Sequence, residues 1–183
     1  MNASDKINLE VYRLFVRVIS EAETIEAMGD QLGQLMVGTL GIQGAALYIL
    51  DPEKEQLTLL SSAGLSNDYI QKGPLLVDPN VRLRANREPV IVSDVQKSPQ
   101  LQYPEAAQAE GVRAMISCPV VMRSKIIGAL RLYHFEPWEA SAGELDFLEL
   151  LTRHIGMALM YFRVVRSISE TKETVDDVHP IWL

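Results

Sequence analysis

The chain has 183 residues, 48% apolar and 22% charged, enough for one domain with a real core, too few for two ordinary domains, and incompatible with a disordered or low-complexity chain. With 17 basic against 24 acidic side chains the net charge is −7. No Lys/Arg cluster stands ready to neutralise a phosphate backbone, so a nucleic-acid partner is not expected.

Cys118 is the single cysteine, which excludes an internal disulfide and a multi-thiolate metal site and suits a reducing cytoplasm. The opening Met1–Lys6 has no apolar run behind a basic stretch, so no secretion signal is read. The longest uncharged window, Gln31 to Leu50, reaches membrane-spanning length, but it carries three glutamines and four glycines and changes period halfway. A helix–turn–strand passage accounts for it better than a membrane span. The expectation is a cytoplasmic domain with no membrane partner.

Residues 7–28 place Ile7, Val11, Leu14, Phe15, Val18, Ile19, Ala22 and Ile25 at helical spacing, with Leu9, Tyr12 and Val16 widening the stripe beyond one packing surface. Gly29-Asp30 punctuates, and Gln31 to Leu40 reads as a second helix ended by Gly41. Ala45–Leu50 and Gln56–Ala63, separated by the turn signal Asp51-Pro52, read as two antiparallel strands. Leu65 to Arg87 loses clear period, with a short helical possibility at Val81–Ala85. Pro89–Val92 is a short strand closed by Ser93-Asp94, and 99–110 is loop and short helix. Two long strands follow, Arg113–Met122 and Ile126–His134, around the polar turn Arg123-Ser124-Lys125. Ser141 with Glu144 three residues on is a capping box. It opens a helix to about Ser167, followed by an exposed polar stretch. Residues 136–183 hold nine acids against four bases, so the carboxyl-terminal part is the acidic part. The division read is a helix over 1–29, a domain over 30–166 that includes the last helix, and an acidic tail over 167–183.

Three segments in this order, Pro89-Val-Ile-Val-Ser-Asp94-Val, Glu110-Gly-Val-Arg113-Ala-Met-Ile-Ser-Cys-Pro119-Val and Ile126-Ile-Gly128-Ala-Leu-Arg131-Leu-Tyr133, with the helix opening Glu144-Leu-Asp-Phe-Leu, resemble a GAF domain, the small-molecule-sensing relative of the PAS fold. The resemblance covers residues 25–165. It implies an α+β fold: a central antiparallel sheet of five to six strands in the order 2-1-5-4-3, the terminal helices on one face, and short helices and loops capping a ligand cavity on the other. The residues agree, since Ala45–Leu50 and Ile126–Leu132 are apolar at both parities, as in a sheet covered on both faces. Gly128 is read as the point where a helix comes close.

Strand parity then sorts the side chains. With Gly128, Leu130, Leu132 and His134 toward the helices, Arg131 and Tyr133 point into the cavity that the resemblance implies. Matches to bilin-binding relatives put Met115 and Ser117 on the same side and Cys118 under the helices. Val81, Leu83, Val92, Leu101 and Tyr103 would form the lid. Arg131 is the most informative, because a cation in mid-strand under two layers needs a partner. Two partners are open: an anionic ligand group, with Ser117 and Tyr133 as hydrogen-bond donors, or an internal carboxylate, Asp94 or Asp78.

Cys118, between Ile116 and Pro119-Val120, has neither the exposure nor the positive neighbours of a reactive thiol. His134, His154 and His179 share no ligand spacing, so no metal or other cofactor is expected. No phosphate loop or nucleophile–base motif is present, and the signature of cyclic-nucleotide-binding relatives is absent. The enzymatic branch of the family, which reduces free methionine sulfoxide with several cysteines, is disfavoured by one cysteine. The expectation is a non-catalytic sensory module that binds an unidentified small molecule. It would signal through terminal helices in a homodimer, with a partner in trans or in a longer chain. The alternative is a ligand-free dimerisation module.

The dimer rests on the last helix. Leu145, Leu148, Thr152, Ile155, Leu159 and Phe162 follow the 3–4 spacing of a coiled-coil seam. Phe147, Leu150, Leu151, Met157, Ala158, Tyr161 and Val165 cover a second face, and one face suffices for a sheet. Leu14, Val18, Leu148, Ile155, Leu159 and Phe162 are the expected interface.

Overall fold

A computed structural model describes residues 9–76, 88–98 and 101–178, with side chains to residue 169. Val81, Leu83, Asp78, His179 and the helix expected at 81–85 lie outside the described residues.

The first two helices are α1 (Leu9–Glu21) and α2 (Ile25–Leu40). The break between them falls at 22–24, not at Gly29-Asp30, because Thr24 caps α2: its side chain accepts from the Ala27 backbone N–H at 3.1 Å. The division at 29/30 therefore falls inside α2. Gly29 is a packing residue, since a Cβ there would lie 2.9 Å from Ser61 Cβ. Gly41, at φ 67°, ends α2 in the left-handed conformation.

Strands β1 (Gly44–Asp51), β2 (Gln56–Ala63), β3 (Leu75–Leu76), β4 (Val90–Val92), β5 (Ala114–Met122) and β6 (Lys125–His134) form one antiparallel sheet in the order β3-β2-β1-β6-β5-β4. Without the two-residue β3, this is the expected 2-1-5-4-3. Helices α3 (Asn67–Ile70) and α4 (Pro104–Glu110) lie in the connections, and α5 runs from Ala142 to Val178. At 37 residues α5 is about 55 Å long and continues past the end expected near Ser167. Its capping box forms as read: the Ser141 N–H and hydroxyl donate to Glu144 Oε2, both at 2.7 Å, and the Glu144 N–H donates back to Ser141 Oγ.

The sheet separates two cores. Phe15, Met28, Leu32 and Met36 of α1 and α2, with Leu148, Leu151, Ile155 and Leu159 of α5, pack on Ala45, Leu47, Ile116, Cys118, Val120, Leu130 and Leu132. On the other face Ala46, Tyr48, Met115, Ala129 and Tyr133 meet Tyr69, Val92, Val95, Ala107 and Val112. Gly128 does not admit a helix; a Cβ there would strike the Tyr48 carbonyl oxygen of neighbouring β1. The close helix approach is at Gly156 of α5, whose Cβ would lie 3.1 Å from the Val121 carbonyl.

The interface expected on α5 needs correction. Leu148, Ile155 and Leu159 are buried against the protein's own sheet, and Phe162 and Val18 are half-buried on the same core. The 3–4 seam of Leu145 to Phe162 is thus the sheet-facing stripe. What α5 exposes is Leu150, Met157, Tyr161, Val164, Val165 and Ile168, and α1 exposes Leu9 and Leu14.

Candidate functional site

The face of the sheet away from the long helices gathers the polar residues. Pairing of β5 with β6 sets Ser117 directly opposite Arg131, and Met115 opposite Tyr133. Alternation turns all four to this face, while Ile116, Cys118, Leu130 and Leu132 turn to the helices. Three of the four carry an orphan: Ser117 Oγ, Arg131 Nε and Tyr133 Oη are buried with no hydrogen-bond partner among the described residues. Such groups are rare in folded proteins, because each gives up its water without replacing it.

No described carboxylate answers Arg131. Asp94, one of the two internal candidates, caps the turn at Val95–Lys97 through the Gln96 N–H. It pairs instead with Arg113 at 3.4 Å and Lys97 at 3.5 Å. The described neighbour of the guanidinium is the Tyr48 ring, whose centroid lies 5.6 Å from Arg131 Cζ.

Around this pair lie residues that the sequence did not single out. The Tyr69 ring meets that of Tyr133 edge-on at 5.5 Å, and the Lys72 ammonium stands 3.6 Å over the Tyr69 ring while donating to the Tyr69 carbonyl at 2.8 Å. Burial pushes the phenols of Tyr48 and Tyr69 well above their ordinary range, with Tyr133 adding to the effect. Neither phenol meets the Tyr133 hydroxyl in hydrogen-bond geometry. Burial also pulls the Lys72 ammonium down to about 8, helped by Arg131 and opposed by Glu110. Tyr48 had a signal, since its parity on β1 matches that of Ala46 rather than Leu47. Tyr69 and Lys72 sit in the stretch without period. They are placed by α3, which Ser66 caps from the Tyr69 N–H and which Glu110 ties down by accepting from the Ser66 N–H at 2.8 Å and from its hydroxyl.

The rest of the expected lining falls on the same face where it is described. Val92 and Met115 are buried there, and Leu101 and Tyr103 pack on them half-buried. Tyr103 holds the 73–74 turn by donating to the Pro74 carbonyl at 2.9 Å. His134 lies on the helix side, as its parity implies, bordering a cleft of about 60 Å³ with Leu132, Trp138, Glu144 and Leu148. Its Nδ1 accepts from the Glu136 N–H. Cys118 is buried under the helices and its thiol is pushed up to about 12 by burial. Among the described residues no cluster of His, Cys, Asp and Glu could hold a metal ion, and no helix is long and apolar enough to cross a membrane.

The family model described as GAF domain matches residues 22–160. No curated protein matches the chain. Among solved structures, the GAF domain of a phosphoenolpyruvate-protein phosphotransferase from Coxiella burnetii aligns with a TM-score of 0.78 at 18% identity, covering 91% of this chain and 99% of that one. The free methionine-R-sulfoxide reductase from Neisseria meningitidis, in complex with its substrate, aligns at 0.72 and 17%, covering 85% and 90%. The GAF domain of the cyanobacteriochrome TePixJ aligns at 0.68 and 18%, covering 80% and 95%. At these identities the structures speak for the fold, and the match over 22–160 speaks for the family: the chain belongs to the GAF domains.

Proposed function

We propose that this GAF domain is a non-catalytic sensory module that binds a small anionic molecule on the Arg131 face. The observation that carries this is the orphan set: a guanidinium N–H and two hydroxyls, buried on adjacent strands, with no described partner. An anion there would accept from all three groups. The other lining residues in this proposal are Met115, Val92, Leu101 and Tyr103. A reductase shares the fold, but the one thiol here is buried on the opposite face. That arrangement favours binding over thiol chemistry, in a reducing compartment such as the cytoplasm. Native mass spectrometry of freshly purified protein, compared with its denatured mass, tests the reading. Extra mass lost on denaturation, and lost in a folded Arg131→Met variant, supports it. Bound mass that survives in Arg131→Met removes it.

The module works as a homodimer in this proposal, through a seam different from the one the sequence favoured. Leu150, His154, Met157, Tyr161, Val164 and Ile168 alternate steps of four and three along α5. All are exposed except the half-buried His154. This is the repeat of a two-helix coiled coil, on the side of α5 that the sheet leaves free; Tyr12 of α1 lies against His154, and a second α5 would cover the rest. Ligand contacts that order the segment around Tyr69 and Lys72 would shift the sheet against α5, and the seam would pass the shift to a partner in trans or to a domain in a longer chain.

A further inference from the structure

We infer that the anion is doubly charged, held by Lys72 together with Arg131, an inference that rests on the anionic reading of this face. Arg131 alone balances one negative charge. Lys72 brings a second cation to the same cluster: its ammonium lies on the Tyr69 ring, that ring meets Tyr133, and Tyr133 stands two residues along β6 from Arg131, on the same face. The two cations feel each other, since Arg131 depresses the Lys72 ammonium. Two like charges gathered beside buried, unpaired hydroxyls raise the energy of the empty site, and a dianion relieves both costs at once. A monoanion leaves one cation unanswered.

Among the described residues, the charged and titratable groups acting on Lys72 are few. Tyr69 lies beneath it, Arg131 opposes it from β6, and Glu110 at the end of α4 favours its charge. Tyr133 and Tyr48 complete the cluster, and burial keeps Tyr48 and Tyr69 neutral over the working range. Glu110 is engaged with Ser66, so it does not take the place of the ligand. The two carboxylates of a small dicarboxylate, or the doubly charged phosphoryl group of a phosphate monoester, supply the matching charge, with the Lys72 ammonium free to rotate its remaining N–H donors toward it.

The test is calorimetric titration of the full chain with succinate, sulfate and acetate between pH 6.5 and 9.5. Succinate or sulfate is expected to bind at least tenfold tighter than acetate at pH 7. Above pH 8 dianion affinity should fall toward tenfold per pH unit, with proton uptake on binding seen as a buffer-dependent heat. In Lys72→Met the dianion preference collapses toward one and the pH slope disappears. Arg131→Met, or Arg131→Lys where the first fails to fold, weakens all three anions. If Lys72→Met keeps the dianion preference and slope while the Arg131 variants lose binding, the two-cation inference is overturned and the anionic site stands. If no anion binds the wild type, both fall.

Discussion

Ser117 and Arg131 face each other across the β5–β6 ladder, and the hydroxyl of one and the Nε of the other are both buried with no hydrogen-bond partner among the described residues. Neighbouring strands could have placed an acid opposite the arginine. This chain places a hydroxyl there, two positions along the ladder from the equally orphaned Tyr133. A core selected for stability alone would have filled these positions with apolar side chains, because an unsatisfied buried polar group costs about 1–3 kcal/mol.

Removing an orphan should therefore stabilise the empty protein. Tyr133→Phe keeps the ring that packs on Tyr69 and deletes the unpaired hydroxyl. The expected gain is about 1 kcal/mol, a rise in Tm of about 2–4 °C for a chain of this size. The same substitution should weaken anion binding. Thermal unfolding with and without succinate checks both signs; a drop in Tm of the empty protein would show that the hydroxyl has a structural partner after all.

Much of the fold was legible because it rests on period. Alternation grouped Arg131 with Tyr133 and set Cys118 opposite Ser117, the family resemblance put Met115 and Ser117 on the cavity side, and the capping box at Ser141–Glu144 marked the start of α5. Two things were not legible, for different reasons. Lys72 and Tyr69 reach the site through α3, a single turn of Asn67–Ile70 with no periodic pattern, positioned by the long-range tie from Ser66 to Glu110. On α5 two apolar stripes coexist, and sequence spacing alone does not say which one the sheet takes. The core takes Leu148, Ile155 and Leu159 together with Phe147, Leu151 and Ala158 of the second stripe, and leaves Leu150, Met157, Tyr161 and Val165 outside.

That assignment separates two substitutions of similar appearance. Met157→Glu with Tyr161→Glu puts carboxylates on exposed positions, 52% and 65% accessible. It should leave the fold intact and convert the proposed dimer to a monomer. Leu159→Glu, at a position 6% accessible, should instead cost about 4 kcal/mol or more by burying a charge in the core. Sedimentation with circular dichroism distinguishes the two, and a dimer that survives the double substitution sinks the seam.

The glycines of α2 provide an internal control. Gly38 is exposed with nothing within 4 Å of an added Cβ, so Gly38→Ala should stabilise by about 0.5–1 kcal/mol through helix propensity. Gly29→Ala gains the same propensity but drives its methyl into Ser61 on β2. Overpacking costs about 1–3 kcal/mol, so the net change should be destabilising. Urea unfolding of the pair reads the difference, and equal shifts would mean that α2 can slide away from β2.

Cys118 should behave as a core residue. Its thiol is 1% accessible and raised to about 12 by burial, and only thiolate attacks a disulfide reagent at useful rates. Labelling by an aromatic disulfide at pH 8 should be negligible in the native protein and complete after unfolding in urea. Fast native labelling would mean that the α2–α5 layer opens from the sheet.

Lys72 gives the empty protein its own pH signature. Its ammonium sits near 8 in the folded chain against about 10.4 when unfolded. Between those values the unfolded chain binds more protons, so stability should rise with pH across that window. The cost of keeping a half-buried cation beside Arg131 is full below pH 8 and fades as the folded ammonium deprotonates. Lys72→Met removes the titrating group, so it should flatten the profile between pH 8 and 10 and raise stability at pH 7. Urea midpoints of both proteins across this range measure the difference. A parallel pair of profiles would mean that Lys72 titrates as an ordinary surface lysine, and the second cation of the site would be lost with it.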